Sequence, residues 1–308
     1  MIRQYSYWAI LTLLLLALFQ SMAPESSGQT PVSNAEPKKE SVENLSAVEI
    51  ISRTHLAFFY AGDDMRASVS MSLINKDGKT RQRELVMLRK NSAAGGEQKY
   101  FMYFYKPDDV RRTTFMVWKY PAKDDDRWIF IPAVNMVRRI AASDSRSSFV
   151  GSDFTYEDVS GRELTADNHT ILRDEKLPAS PSGGNDKSCY VIQSIPETKA
   201  DYTRKIAWID KETWLPLKEE YYDVQDKLFR LFTADKIEKI IIKKEKAEGT
   251  KDKEPEEYFW TITKRTMKNI KTEHRTEVTY TKIEYNLGIE DALFTESNLK
   301  EPPSKWIK

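Results

Sequence analysis

One cysteine stands in the whole chain, Cys189. No disulfide can form within the chain, so packing alone must hold the fold. Cys189 lies in the mostly apolar run 188–195, beside Tyr190, Val191 and Ile192, which is the setting of a small buried hydrophobe. Glycine is scarce, at 11 residues, and none of them builds a phosphate-cradling loop or a dinucleotide fingerprint. The three histidines, His55, His169 and His274, are far apart and show no metal-ligand spacing. Gly151-Ser152-Asp153 lacks the frame of a nucleophile elbow. Asp124-Asp125-Asp126 lacks the glycine and terminal glutamate of a calcium loop and reads as a solvated turn. Neither sign of charge is in excess: 48 Lys and Arg stand against 47 Asp and Glu, so nothing points to nucleic acid. These absences leave no catalytic set, no metal site and no cofactor motif, and the expectation is a protein that is not an enzyme.

A long apolar run is also missing outside the N-terminus. Arg3, the run 7–19 and Ser21-Met22-Ala23 follow the charged, apolar and small-residue plan of a secretory signal peptide over residues 1–23. The run is shorter than the roughly 20 residues of a membrane span. Pro24 suits cleavage after Ala23 poorly, which keeps an uncleaved inner-membrane anchor as the alternative. No cysteine follows the run, so a lipid-modified N-terminal cysteine is excluded. Residues 24–44, rich in Ser, Pro, Glu and Lys, read as a disordered linker.

What the chain does have is aromatic and β-branched runs cut by turns. Residues 46–60 read as a helix, with Ser46 and Glu49 as a capping box and Val48, Ile51, His55, Phe58 and Phe59 near one face. The alternating stretch 65–74, the hairpin signal Asp77-Gly78 and the stretch 80–88 read as the first two strands. Four more follow at 100–105, 113–120, 127–131 and 136–140, bounded by Pro and Asp. In 100–105 both faces are apolar, so each is covered by protein or lines a cavity. Residues 144–148 read as a mobile loop, 156–165 as a short connection, and 178–185 and 243–257 as loops. Strands resume at 189–195, 205–209 and 215–222. Residues 228–242 read as a strand pair or a broken strand, and 258–267 and 275–285 as the last long strands. A short terminal helix or turn is expected at 291–299.

One block carries a resemblance. Pro107-Asp108-Asp109-Val110-Arg111, Trp118, Asp125-Asp126-Arg127-Trp128, Ile131-Pro132-Ala133, Val137-Arg138-Arg139-Ile140 and Phe149-Val150-Gly151-Ser152-Asp153-Phe154-Thr155-Tyr156-Glu157-Asp158 run in an order that resembles the LolA-like outer-membrane lipoprotein-sorting proteins. The branch it looks like is the one associated with lipid-exporting transporters. The likeness resumes at Phe294-Thr295 and Leu299 and spans a domain at 45–302, with 303–308 as a tail. The charged stretch 243–257 has no clear counterpart in a minimal carrier of this family.

The resemblance implies a mainly β (α+β) fold: a curved antiparallel sheet forming an incomplete barrel, with helices covering its concave side. It also implies a periplasmic carrier of a lipid or of lipoprotein acyl chains, with an inner-membrane transporter and an outer-membrane acceptor as partners. The expected acyl-cavity residues are Met102, Phe104, Phe115, Val117, Trp128, Phe130 and Phe154, for which plain core is the competing reading. Arg111, Arg112, Arg138 and Arg139 are expected at headgroups or a partner, against ordinary edge-strand charge. Two other readings stay open: a non-carrying accessory subunit of an inner-membrane lipid transporter of the RND type, and an enzyme on envelope lipid or glycan.

Overall fold

The computed structural model describes residues 45–178, 185–242 and 257–308. The expected signal peptide and linker, and most of the two loops at 178–185 and 243–257, lie outside the described residues. Helix α1, Ala47–Phe59, starts at Ser46. The Ser46 hydroxyl accepts from the Glu49 amide at 3.2 Å, and the Ser46 amide donates to the Glu49 carboxylate at 2.8 Å. The inward stripe is Ile51, Thr54, His55 and Phe58, at helical spacing. Val48, expected on that face, is 60% exposed, and Ile50 is the buried neighbour instead.

Thirteen strands follow in one antiparallel sheet. They are β1 (Asp64–Ile74), β2 (Thr80–Asn91), β3 (Gln98–Lys106), β4 (Thr114–Lys119), β5 (Asp126–Ile131), β6 (Met136–Ile140), β7 (Asp167–Leu177), β8 (Lys187–Pro196), β9 (Arg204–Asp210), β10 (Pro216–Tyr222), β11 (Leu228–Ile241), β12 (Tyr258–Asn269) and β13 (Arg275–Tyr285). The spatial order is β6-β5-β4-β3-β2-β1-β13-β12-β11-β10-β9-β8-β7. Two meanders thus meet where β1 pairs β13, and β6 and β7 are left as free edges. The sheet is curved and does not close into a barrel, as expected.

Curvature makes its two faces unequal. The concave face gathers residues from distant strands, among them Met71, Met102, Phe115, Phe232 and Val278, into one cluster under α1. Only a sheet that bends back on itself lets β4 and β11 share a core. The opposite face carries Leu88, Phe101, Met116, Trp128 and Phe130. It is covered by the C-terminal segment, which holds α3 (Glu296–Lys300) and α4 (Ser304–Ile307) and contributes Ile289, Leu293, Phe294, Leu299 and Trp306. Thr114 Oγ1 donates to the Leu299 carbonyl at 2.6 Å, and Trp118 Nε1 to that of Phe294 at 3.2 Å. Residues 303–308 are therefore not a tail: Trp306 is buried and Tyr105 donates to the Ile307 carbonyl. This is why both faces of β3 are apolar.

Cys189 is fully buried, and burial, with Asp210 nearby, pushes its thiol up to about 11. Among the described residues no helix is long and apolar enough to cross a membrane.

Candidate functional site

The space between α1 and the concave face is incompletely filled. Two voids of about 110 and 60 Å³ lie there, a third of about 30 Å³ lies beside them under Phe149, Phe154 and Val159, and neighbouring voids share wall residues. Phe58 and Phe59 of α1 separate the first from the second, and Phe154 stands between the first and the third. Arg265 of β12 lines all three. The second and third are otherwise mostly apolar, walled by Met65, Met87, Met102, Val159, Val278 and Ile283 among others.

The cover has a second part, the segment 154–167, which contains α2 (Tyr156–Ser160). Thr155 caps α2 through a box with Asp158, and Phe149 and Phe154 drop from the preceding loop into the cluster. The expected mobile loop at 144–148 is pinned here: the Ser148 hydroxyl donates to the Ser152 carbonyl at 2.6 Å, and Ser145 is buried. Ion pairs tie the segment to both limbs of the sheet. Lys119 of β4 donates to the Gly161 carbonyl at 3.0 Å and pairs with Glu163. Arg162 holds Asp167 at 2.8 Å and Glu157 at 3.2 Å. Arg230 of β11 pairs with Asp158 and Asp201, both at 3.1 Å. Burial raises the Glu157 and Asp201 carboxyls, against the pull of Arg162 and Arg230 respectively.

Of the aspartate triplet only Asp124 is solvated. Asp125 is buried against Arg127 at 2.5 Å and accepts from the Ser160 hydroxyl at 3.3 Å, and Asp126 accepts from the Tyr120 hydroxyl at 3.2 Å and pairs with Arg139. These residues fasten the end of α2 to β5. His274 contacts Asp153 at 2.6 Å, and His169 lies 2.9 Å from the Ser194 hydroxyl. Among the described residues no cluster could hold a metal ion.

The residues expected to line an acyl cavity divide between the faces. Met102 lines the third void and Phe154 the first and third. Phe104, Phe115 and Val117 sit in the same concave cluster, packed behind the voids. Trp128 and Phe130 are turned to the opposite face, under the C-terminal segment. The pairing explains this: Trp128 lies opposite Met116 and Phe130 opposite Thr114, and residues directly opposite across a ladder share a face. Arg111 and Arg112 are exposed in the turn after β3, with Arg111 3.9 Å from Asp108. Arg138 and Arg139 are exposed on the edge strand β6, paired with Asp144 and Asp126. None of the four lies at the voids.

Sequence reasoning passed over Arg265 and Arg89. The signal for Arg265 was the alternation Thr263, Arg265, Met267, which puts an arginine on the inward parity of a long strand.

These features define a LolA-like, half-open sheet with a helix-covered, partly apolar cavity. A family model described as that of an uncharacterized protein matches residues 96–301, and the chain belongs to this DUF1329-like family. It is similar to a DUF1329 family protein of Desulfovibrio piger, at 25% identity and a TM-score of 0.68, covering 83% of this chain and 100% of that one. It is also similar to a domain of Vibrio parahaemolyticus named for outer-membrane lipoprotein sorting, at 26% identity and a TM-score of 0.67, covering 82% and 98%. A LolA superfamily protein of Nitrosomonas europaea, at 16% identity and a TM-score of 0.56, covers 82% and 99% and shares the fold. No curated protein matches the sequence.

Proposed function

We propose that the chain is a periplasmic carrier that takes the acyl chains of a lipid or lipoprotein into the cavity under α1 and delivers them toward the outer membrane. The observation that carries this reading is the set of adjoining voids beneath α1 and the segment 154–167, the second and third mostly apolar, where a plain core would be filled. Each buried methylene gains about 0.8 kcal/mol over water, much as it does in a bilayer. Exchange between membrane and cavity is then near balance, so the same site can load and unload. Movement of α1 outward would merge the voids into one groove, because Phe58 and Phe59 form the partition. The Vibrio relative's name, at 26% identity, points the same way.

The test is protein purified without detergent, extracted into organic solvent for mass spectrometry, and titrated with a fluorescent acyl probe. Saturable uptake near one probe per chain is expected. Ala57→Phe, which fills the second void from the helix side, should weaken uptake at least about tenfold with an unchanged melting temperature. An empty protein that binds no acyl probe overturns the reading. A second reading, a non-carrying accessory subunit of an inner-membrane transporter, draws on Val134 and Met136, 62% and 48% exposed beside Arg138 and Arg139 at the free edge. An empty cavity together with co-purification of a membrane transporter would favour it.

A further inference from the structure

Among the described residues five arginines are buried with an Nε atom that has no hydrogen-bond partner: Arg83, Arg89, Arg127, Arg230 and Arg265. Three of them face a carboxylate, and a fourth a carbonyl. Arg127 and Arg230 pair with the carboxylates described above, and Arg83 lies 3.7 Å from Asp109. Arg89 donates to the Ala61 carbonyl. Arg265 has neither. Among the described residues its one hydrogen bond runs to the Tyr280 hydroxyl at 2.6 Å, and none of their carboxylates lies within ion-pair distance. The side chain is nonetheless nine-tenths buried.

The surroundings sharpen the imbalance. The second and third voids contain no acidic side chain in their walls, and their only charged residues are Arg89 and Arg265. The acids of the first void, Glu157, Asp158, Glu163, Asp167 and Glu219, each pair with another cation: Arg162, Arg230, Lys119, Arg162 and Lys205. The Arg265 guanidinium carbon instead lies 5.5 Å from the ring centre of Phe58, 5.0 Å from Phe154 and 5.4 Å from Tyr280. Ring faces offset part of the cost of a buried cation but leave its N–H donors unused. Two of the three rings belong to the cover, not the sheet, so they would move with it while Arg265 stays on β12.

We propose that Arg265 anchors the oxyanion headgroup of an amphiphile whose alkyl chain fills the neighbouring voids. The shared chemistry is a carboxylate or phosphate on a single long chain, and the guanidinium fork suits either. This deepens the carrier reading and rests on it. It also narrows the cargo, because the esterified and amide-linked chains of a lipoprotein have no free acid to offer Arg265.

The experiment compares three sixteen-carbon ligands at neutral pH by displacement of a fluorescent acyl probe: palmitate, palmitoyl lysophosphatidic acid and hexadecanol. Wild type should bind at least one of the two anions about tenfold or more tightly than the alcohol. Which anion leads tells a fatty acid from a phospholipid source. Arg265→Met should bring all three to the alcohol's affinity, and Arg265→Lys should keep the preference. Should Arg265→Met fail to fold, Arg265→Gln serves in its place. Equal binding of all three by wild type, or a preference that survives Arg265→Met, overturns the anchor while the carrier stands. No binding of any of the three overturns both.

Discussion

His55 is a base that its surroundings keep neutral. It sits on the inward stripe of α1, its Nε2 is buried without a partner, and its ring edge meets Phe59 and Tyr60 at 5.3 Å each. Burial first, then the positive charges of Lys119 and Lys205, pushes it down from 6.5 to about 4. The unfolded chain therefore takes up this proton before the folded one does, and stability is lost as pH falls from 6.5 toward 4. The loss at pH 4.5 should be about 2 to 3 kcal/mol. Denaturant melts of wild type and His55→Phe at pH 7 and 4.5 read it directly. The variant should show a flatter acid dependence, and an identical slope would place the acid sensitivity elsewhere. At this scale the sequence was half legible. His55 could be read as a packed helix residue, and Cys189 as a buried hydrophobe. Trp128 and Phe130 could not be assigned to a face, because a period of two gives faces within a strand but not which face of the next strand it matches. That match is made by pairing register, which depends on turns the sequence leaves loosely specified.

Among elements, the interlock of α1 with α2 depends on one residue without a side chain. Gly161 ends α2 at φ +82°, and a Cβ there would stand 3.0 Å from the Phe59 ring of α1. Its carbonyl also takes the Lys119 hydrogen bond. Gly161→Ala carries both a left-handed backbone cost and a clash, together about 1 to 3 kcal/mol. Denaturation should show that loss, and stopped-flow mixing with an acyl probe should show faster uptake, because Phe59 is pushed off its seat. A stable variant with unchanged uptake would mean the contact does not hold the cover. The start of α1 was legible, since a capping box is a local signal. β11 was readable only as a strand pair or a broken strand, because register shifts around Lys236 interrupt its alternation while the ladder continues. β7 left no apolar signal: it is an edge strand, and most of its side chains are exposed. The role of Trp306 depended on a contact with the far face of the sheet that no local pattern encodes.

For the whole molecule, antiparallel periodicity predicted a sheet, but its bend came only from the family resemblance, because curvature is a sum of small twists and bulges. The bend creates the cavity, and the cavity is where both proposals lie. The free edges at β6 and β7 carry a consequence for size selection. A closed barrel has a girth set by a complete hoop of backbone hydrogen bonds, and ligands too long for it are refused. Here β6 and β7 do not pair with each other, and the covering segment 154–167 is held to the sheet by side chains: Lys119 with Glu163, Arg127 with Ser160, Arg162 with Asp167, and Arg230 with Asp158. Side-chain struts can tilt and lengthen without breaking a ladder of backbone hydrogen bonds, so the girth is more adjustable than that of a closed barrel. Affinity for alkyl ligands should then rise smoothly with chain length, with no sharp cutoff, in a series from ten to eighteen carbons. A molecule built this way would measure an alkyl ligand by how far it can stretch around it.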